Sequence, residues 1–267
     1  MKVPEPIIPK DIPPENFPSL LRNWHLGSKA RRHLSRRRFA TATGLLGKGA
    51  GGRSLDVGCG WGYNLYLLHK AQFEAFGIDI VQNDFPAASQ IAKANGYNVN
   101  LICADVSNLP FQASTFEAVT AVETFEHIYV PDRRKTIREI ARVLTEGGVL
   151  ALSTPNYSSL IETGKRLLVR LPFLKRLFPS MCYPVGEVRR EDYHPYRYHR
   201  PEPAGKLRTM LEEGGFTVVE MRRILFVWKN TPNFFFPVCR FIESILEGMP
   251  VLYRLGSTLV VYARKNP

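Results

Sequence analysis

Three acids close successive apolar runs in this chain, and the first run opens onto a glycine-rich turn. Asp56 lies in Ser54-Leu-Asp-Val57 and is followed at once by Gly58-Cys-Gly60-Trp-Gly62. Glycines at alternate positions let the main chain bend sharply and let a ligand lie directly on it. Asp79 closes the next apolar run, Phe76–Ile80. An acid there is placed to receive the hydroxyls of a ribose bound across a sheet crevice. The pair predicts an adenosine-type cofactor. A dinucleotide loop needs its third glycine three places after the second, and Tyr63 stands there instead. Asp56 at the mouth of the loop would repel a pyrophosphate and suits a cation. A phosphate-binding P-loop is excluded, because no Gly-Lys-Ser/Thr follows.

Later stations repeat at regular intervals. Val99–Asp105 reads as a strand closed by the third acid, with Val106 beside it. Phe116–Glu123 is a fourth strand leading into Thr124-Phe-Glu-His127, and Ala141–Asn156 gives a helix end, a Gly147-Gly148 turn, a fifth strand and a Ser153-Thr-Pro-Asn156 exit. Over roughly residues 53–156 this order resembles the class I S-adenosylmethionine-dependent methyltransferases. The likeness is to their small-molecule branch, which includes ubiquinone- and menaquinone-biosynthesis methyltransferases. The resemblance implies S-adenosylmethionine as cofactor. It implies that Asp56, Gly58 and Gly60 face the methionine part and Asp79 with Ile80 the ribose. Asp105 and Val106 would flank the adenine, and Glu123 would close the cofactor set. A non-catalytic binding protein built on the same scaffold is the opposing reading, and the presence of all three acids gives it little support.

Methyl transfer to an oxygen also needs a proton acceptor or a metal. Glu123-Thr-Phe-Glu-His127 resembles the E-x-x-E-H segment of ubiquinone-type O-methyltransferases, where acids and histidine can hold a divalent cation. The same pair also fixes a loop in relatives without metal, and no metal is expected here. His127 is one candidate base. Tyr193-His-Pro-Tyr-Arg-Tyr-His199 offers His194 and His199 as others. The N-methylation signature N/D-P-P-Y/F is absent, which disfavours adenine or glutamine amide as acceptor; an oxygen of the acceptor is the expected methylation site, ahead of a carbon or nitrogen.

The elements that must position these groups alternate between strand and helix from Arg53 onward. They predict an α/β, Rossmann-like, seven-stranded and mostly parallel sheet with helices on both faces. Thr217–Ile224 and Thr258–Arg264 supply the last two strands as an antiparallel edge pair. Residues 1–52 read as a Pro-rich extended tail, with six prolines before residue 19, and a basic helical lid over 19–47. Residues 53–267 read as the methyltransferase domain. Residues 157–202 form a cap insertion after strand 5, and 231–256 form an apolar segment holding Asn233-Phe-Phe-Phe236. In the cap, Leu160, Leu167, Leu171, Leu174 and Phe178 share an arc of about 60° at helical spacing, with Lys165, Arg166 and Arg176 opposite and Pro172 as a kink.

Charge is uneven. Residues 53–152 carry 8 Lys and Arg against 11 Asp and Glu, while 1–52 carry 10 against 3 and 153–267 carry 18 against 10. The whole excess of +12 therefore lies in the flanks, which calls for an anionic partner. A small or lipid-linked acceptor, with peripheral contact to an anionic membrane, is favoured. An RNA methyltransferase is the alternative, disfavoured because no RNA-binding module precedes the core. Four scattered cysteines without a C-x-x-C pair and a start without an apolar signal-peptide core predict a reduced, cytoplasmic chain, with membrane association at the cytoplasmic face.

Overall fold

A computed structural model of the protein describes residues 3–10, 12–13, 17, 19–169, 189–195 and 197–267. Its seven strands are β1 (Arg53–Val57), β2 (Glu74–Asp79), β3 (Asn100–Cys103), β4 (Phe116–Val122), β5 (Leu144–Pro155), β6 (Phe216–Ile224) and β7 (Thr258–Lys265). They form one sheet in the order β3-β2-β1-β4-β5-β7-β6. β7 runs antiparallel to both its neighbours, and the other pairs are parallel. Burial follows position. Central β1 and β4 are covered on both faces and bury nearly every residue, as parallel strands under helices must. Edge strand β6 alternates buried with open positions along its first half.

Helices α1 (Ser19–His25), α2 (Lys29–Gly44), α3 (Tyr63–Lys70) and α4 (Phe85–Ala94) precede β3 in the chain. α5 (Arg133–Val143), α6 (Leu160–Val169), α7 (Ala204–Glu213) and α8 (Phe236–Gly248) follow β4. One core packs Ile137 and Ile140 of α5 and Leu207, Met210 and Leu211 of α7 on Phe116, Val119 and Leu150. A second packs Leu65 and Leu68 of α3 and Ile91 of α4 with Trp24, Ala75 and Ala118. Successive residues Ala118 and Val119 feed different cores, as the two-residue period of a strand requires. A third, smaller cluster seats Leu34 and Ala42 of α2 on Val122, Ala151 and Val260.

Three departures from the sequence reading bear on the site. The third strand stops at Cys103, because Asp105 folds back to accept the Ser107 N–H at 2.8 Å and turns the chain. The Pro-rich start is helix-free where described but is moored. The Tyr63 and Tyr66 hydroxyls donate to the carbonyls of Pro4 and Glu5. Ile7 exchanges two hydrogen bonds of 2.8 Å with the Asn95 side chain. In the cap, α6 covers the start of the expected amphipathic helix, with Leu160 and Leu167 turned to solvent. Leu171, Pro172, Leu174, Arg176 and Phe178 lie outside the described residues.

Candidate active site

The glycine turn joins β1 to α3. Gly58, Gly60 and Gly62 have φ of 72°, 46° and 82°. At Gly58 a Cβ would run into the side chain of Thr124, whose hydroxyl donates to the Val57 carbonyl at 3.0 Å. The loop is thus both left-handed and pressed against the chain leaving β4, two conditions that only glycine meets together.

Beneath the loop lies a buried polar network. Asp56, 2% exposed, accepts on Oδ1 from Asn64 Nδ2 at 2.8 Å and from the Thr120 hydroxyl at 2.7 Å. Asn64 in turn accepts from the Thr43 hydroxyl of α2 at 2.6 Å. Burial pushes the Asp56 pKa from 3.8 up to about 7, against the opposing pull of the Thr120 and Asn64 hydrogen bonds. Asp79 closes β2 with both oxygens engaged. Oδ2 accepts from the Gly60 N–H and Oδ1 from the Val81 N–H, each at 3.0 Å. Ile80 beside it stays 47% exposed. Val106 packs partly buried against the main core. The Asp105 charge acts on Tyr193, where burial first and Asp105 second raise the phenol pKa to about 12.

Glu123 follows β4 with a φ of 54°, in the left-handed region that a non-glycine residue occupies only under constraint. Its carboxylate accepts from the Ser153 hydroxyl at 3.0 Å and pairs with Arg38 of α2 at 3.1 Å. Next comes a single 3-10 turn, Phe125–His127. His127 Nδ1 lies 2.6 Å from the Tyr198 carbonyl and 3.0 Å from that of Pro195. Carbonyls only accept, so Nδ1 carries the hydrogen, and in the neutral ring Nε2 keeps its lone pair. Burial and then the neighbouring His199 lower the His127 pKa below 6.5, holding the ring neutral. The two imidazoles are 5.4 Å apart, and Glu126, His127 and His199 present ligand atoms all within 4.8 Å of one another. Glu126 is 1% exposed. Burial followed by the Glu123 charge holds its pKa well above 4.5. His194 is exposed and stands outside this cluster.

Arg133 holds this arrangement together, and the sequence reading passed over it. Fully buried on α5, it donates to the carbonyls of Glu126, Ile128 and Arg200 and pairs with Glu202 at 2.8 Å. One guanidinium thereby ties the turn after β4 to the chain returning from the cap, and it brings together histidines 72 positions apart in sequence. An arginine on an amphipathic helix gives no local sign of that role.

Residues 55–148 match the family model described as a methyltransferase domain. A methyltransferase domain thus spans the glycine turn, Asp79, Asp105 and the turn after β4. The sequence reading implies S-adenosylmethionine as the cofactor of such a domain. The residues present fit that group: a loop with no room for a side chain at Gly58, acids in place of phosphate donors, and Asp79 at the end of β2. The methyltransferase domain is 34% identical over 102 residues to a ubiquinone biosynthesis O-methyltransferase of Coxiella burnetii, covering 38% of this chain and 43% of that protein. The chain thus spans less than half the length of that relative. It is 29% identical over 205 residues to a demethylmenaquinone methyltransferase of Geobacillus kaustophilus, covering 73% of this chain and 83% of the other. The fold is shared with the Burkholderia thailandensis 1,6-didemethyltoxoflavin-N1-methyltransferase, crystallised with 1,6-didemethyltoxoflavin and S-adenosylhomocysteine. The TM-score is 0.55 at 16% identity, over 98% of this chain and 94% of that one. Among the described residues no helix is long and apolar enough to cross a membrane.

Proposed function

We propose that this chain methylates an oxygen of a small or lipid-linked acceptor. The observation that carries the reading is the fixed tautomer of His127, which leaves a neutral Nε2 lone pair beside the turn that packs on the glycine loop. When bound, S-adenosylmethionine supplies an electrophilic methyl carbon. Gly58, Gly60 and Asp56 would hold its methionine end, Asp79 with Ile80 its ribose, and Asp105 with Val106 its adenine. Glu123, braced by Ser153 and Arg38, keeps the floor of the crevice rigid. His127 Nε2 accepts the proton that leaves the acceptor hydroxyl, and the Tyr198 and Pro195 carbonyls stabilise the resulting imidazolium through Nδ1–H. The O-methyltransferase and demethylmenaquinone relatives support a hydroxylated ring with an apolar tail as the acceptor class.

The test is incubation with radiolabelled S-adenosylmethionine and a prenylated catechol or hydroquinone, followed by solvent extraction. Label is expected in a methyl ether, and it should drop with His127→Asn, whose amide can still donate to both carbonyls. Label at carbon or nitrogen, or an unimpaired variant, would overturn the assignment.

A second reading follows from the 4.8 Å cluster of Glu126, His127 and His199, whose donor set suits a divalent cation. In that case the cation would lower the acceptor's pKa and His127 would serve as its ligand. A chelator abolishes turnover under this reading and leaves it unchanged under the first.

A further inference from the structure

α8 lies with the wrong side outward for a helix in water. The one side chain it buries is Glu243. Val238, Phe241, Ile242 and Ile245, spaced three and four apart and so on one side, are 54%, 67%, 47% and 48% exposed. Phe234 and Phe235, just before the helix, extend the same apolar surface at 75% and 52% exposed. The helix is anchored through charge. Glu243 accepts from the Phe226 and Val227 N–H groups and pairs with His33, Arg37 and Arg240. Glu247 accepts from the Leu225 N–H and pairs with Arg37. Apolar surface of this extent on a soluble domain marks a contact site.

The ground beside it is cationic. A cavity of about 910 Å³ between α2 and α8 is lined by Lys29, Arg32, Arg36, Arg37, Arg222 and Arg240, with Glu5 as the one acid on its wall. Arg36, Arg37, Arg222 and Arg240 are paired with carboxylates. For the side chains of Lys29 and Arg32 no carboxylate partner is found among the described residues. The basic N-terminal helix and the phenylalanine-rich C-terminal segment, some 200 residues apart in sequence, thus form one surface: an apolar ridge beside a cationic hollow.

We propose that this surface docks on an anionic phospholipid bilayer. The α8 ridge would enter the headgroup boundary, and the cavity would take lipid phosphates. Charge complementarity selects this occupant. A nucleic acid would gain nothing from exposed isoleucines and valines, whereas a bilayer uses both features at once. The proposal is independent of the methyl-transfer reading, because its readout is binding.

The experiment is co-sedimentation of the full chain with vesicles of equal phosphatidylglycerol and phosphatidylcholine, and with phosphatidylcholine alone. Pelleting is expected with the first and not the second, and it should weaken as salt rises. At about fivefold per basic residue near the surface, Lys29→Ala with Arg32→Ala should lower the partition coefficient on the order of 30-fold. Phe241→Ser with Ile245→Ser should abolish pelleting while circular dichroism and melting temperature stay unchanged, since both side chains face solvent. Three results would overturn the proposal: no pelleting on the anionic vesicles, equal pelleting of parent and the Phe241/Ile245 variant, or sedimentation velocity showing a dimer that the same variant dissociates. A melting shift with inorganic diphosphate but no vesicle binding would replace the membrane with a soluble anion.

Discussion

Asp56→Asn tests whether the acid beneath the glycine loop is a charge switch for cofactor binding. The carboxyl is 2% exposed, with a pKa raised to about 7 by burial. In the free protein it is therefore half neutral near neutrality. A cationic methionine end favours the ionised form, so binding should release a proton and strengthen as pH climbs through about 7. If only the ionised form binds, the fraction competent rises from about 3% near pH 5.5 to about 90% near pH 8, a gain of about 30-fold or 2 kcal/mol. Calorimetry in two buffers of different ionisation enthalpy counts the released protons directly. About half a proton is expected at pH 7, and close to none in Asp56→Asn, whose cofactor affinity should be flat over this range apart from the cofactor's own titration. Stability should move the other way. An acid with a raised folded-state pKa loses stability as pH rises from 3.8 to about 7, at most about 4 kcal/mol, so Asp56→Asn should melt no lower than the parent at pH 8. Equal proton release by parent and variant would refute the reasoning, and so would an affinity in the parent that does not change with pH.

Asp79→Ala should weaken S-adenosylmethionine about 10- to 100-fold by removing charge-assisted hydrogen bonds, with fluorescence titration as the measure and unchanged affinity as the contrary result. His127→Asn should lower kcat by on the order of 10²–10⁴ with KM little altered, and the parent's rate should fall as pH drops through a pKa below 6.5. Arg133→Met leaves Glu202 with Lys206 alone and strands the carbonyls of Glu126, Ile128 and Arg200, so it should cost about 3–5 kcal/mol in urea unfolding; a loss below about 1 kcal/mol would show that the clamp is dispensable. Burial alone would raise the Glu243 pKa, but the His33 hydrogen bond and charge, the Phe226 N–H and Arg37 bring it down to about 2. Its contribution, about 3 kcal/mol, is therefore present above 4.5 and lost as pH falls towards 2. Glu243→Gln should remove that part of the acid-denaturation curve.

What the sequence made legible is what is local. The order of strands, the glycine turn and the acid closing β2 each depend on neighbours within a few residues, and all lie where the spacing placed them. Asp105 was legible as an acid but not as the end of a strand, because its turn depends on a side chain capping Ser107 rather than on the apolar pattern. The joining of His127 with His199, the Arg133 clamp and the Arg38–Glu123 pair were not legible, since each spans 69 or more positions. α8 shows a further limit. Periodicity marks an amphipathic helix, but it is the same whichever side faces inward. Only Glu243 meeting His33, Arg37 and two backbone N–H groups decides the orientation.

α2 makes one body of two regions. Arg37 grips Glu243 and Glu247 under the outer helix, while the next residue, Arg38, grips Glu123 at the end of β4 and Thr258 of β7. A rigid helix cannot shift one of these arginines and leave the other in place. Any ligand that repositions α2 from the outside therefore changes the free energy of filling the crevice, and a filled crevice returns the same free energy to the outer surface, because linkage is symmetrical. Affinity measured at either end is a reading of both.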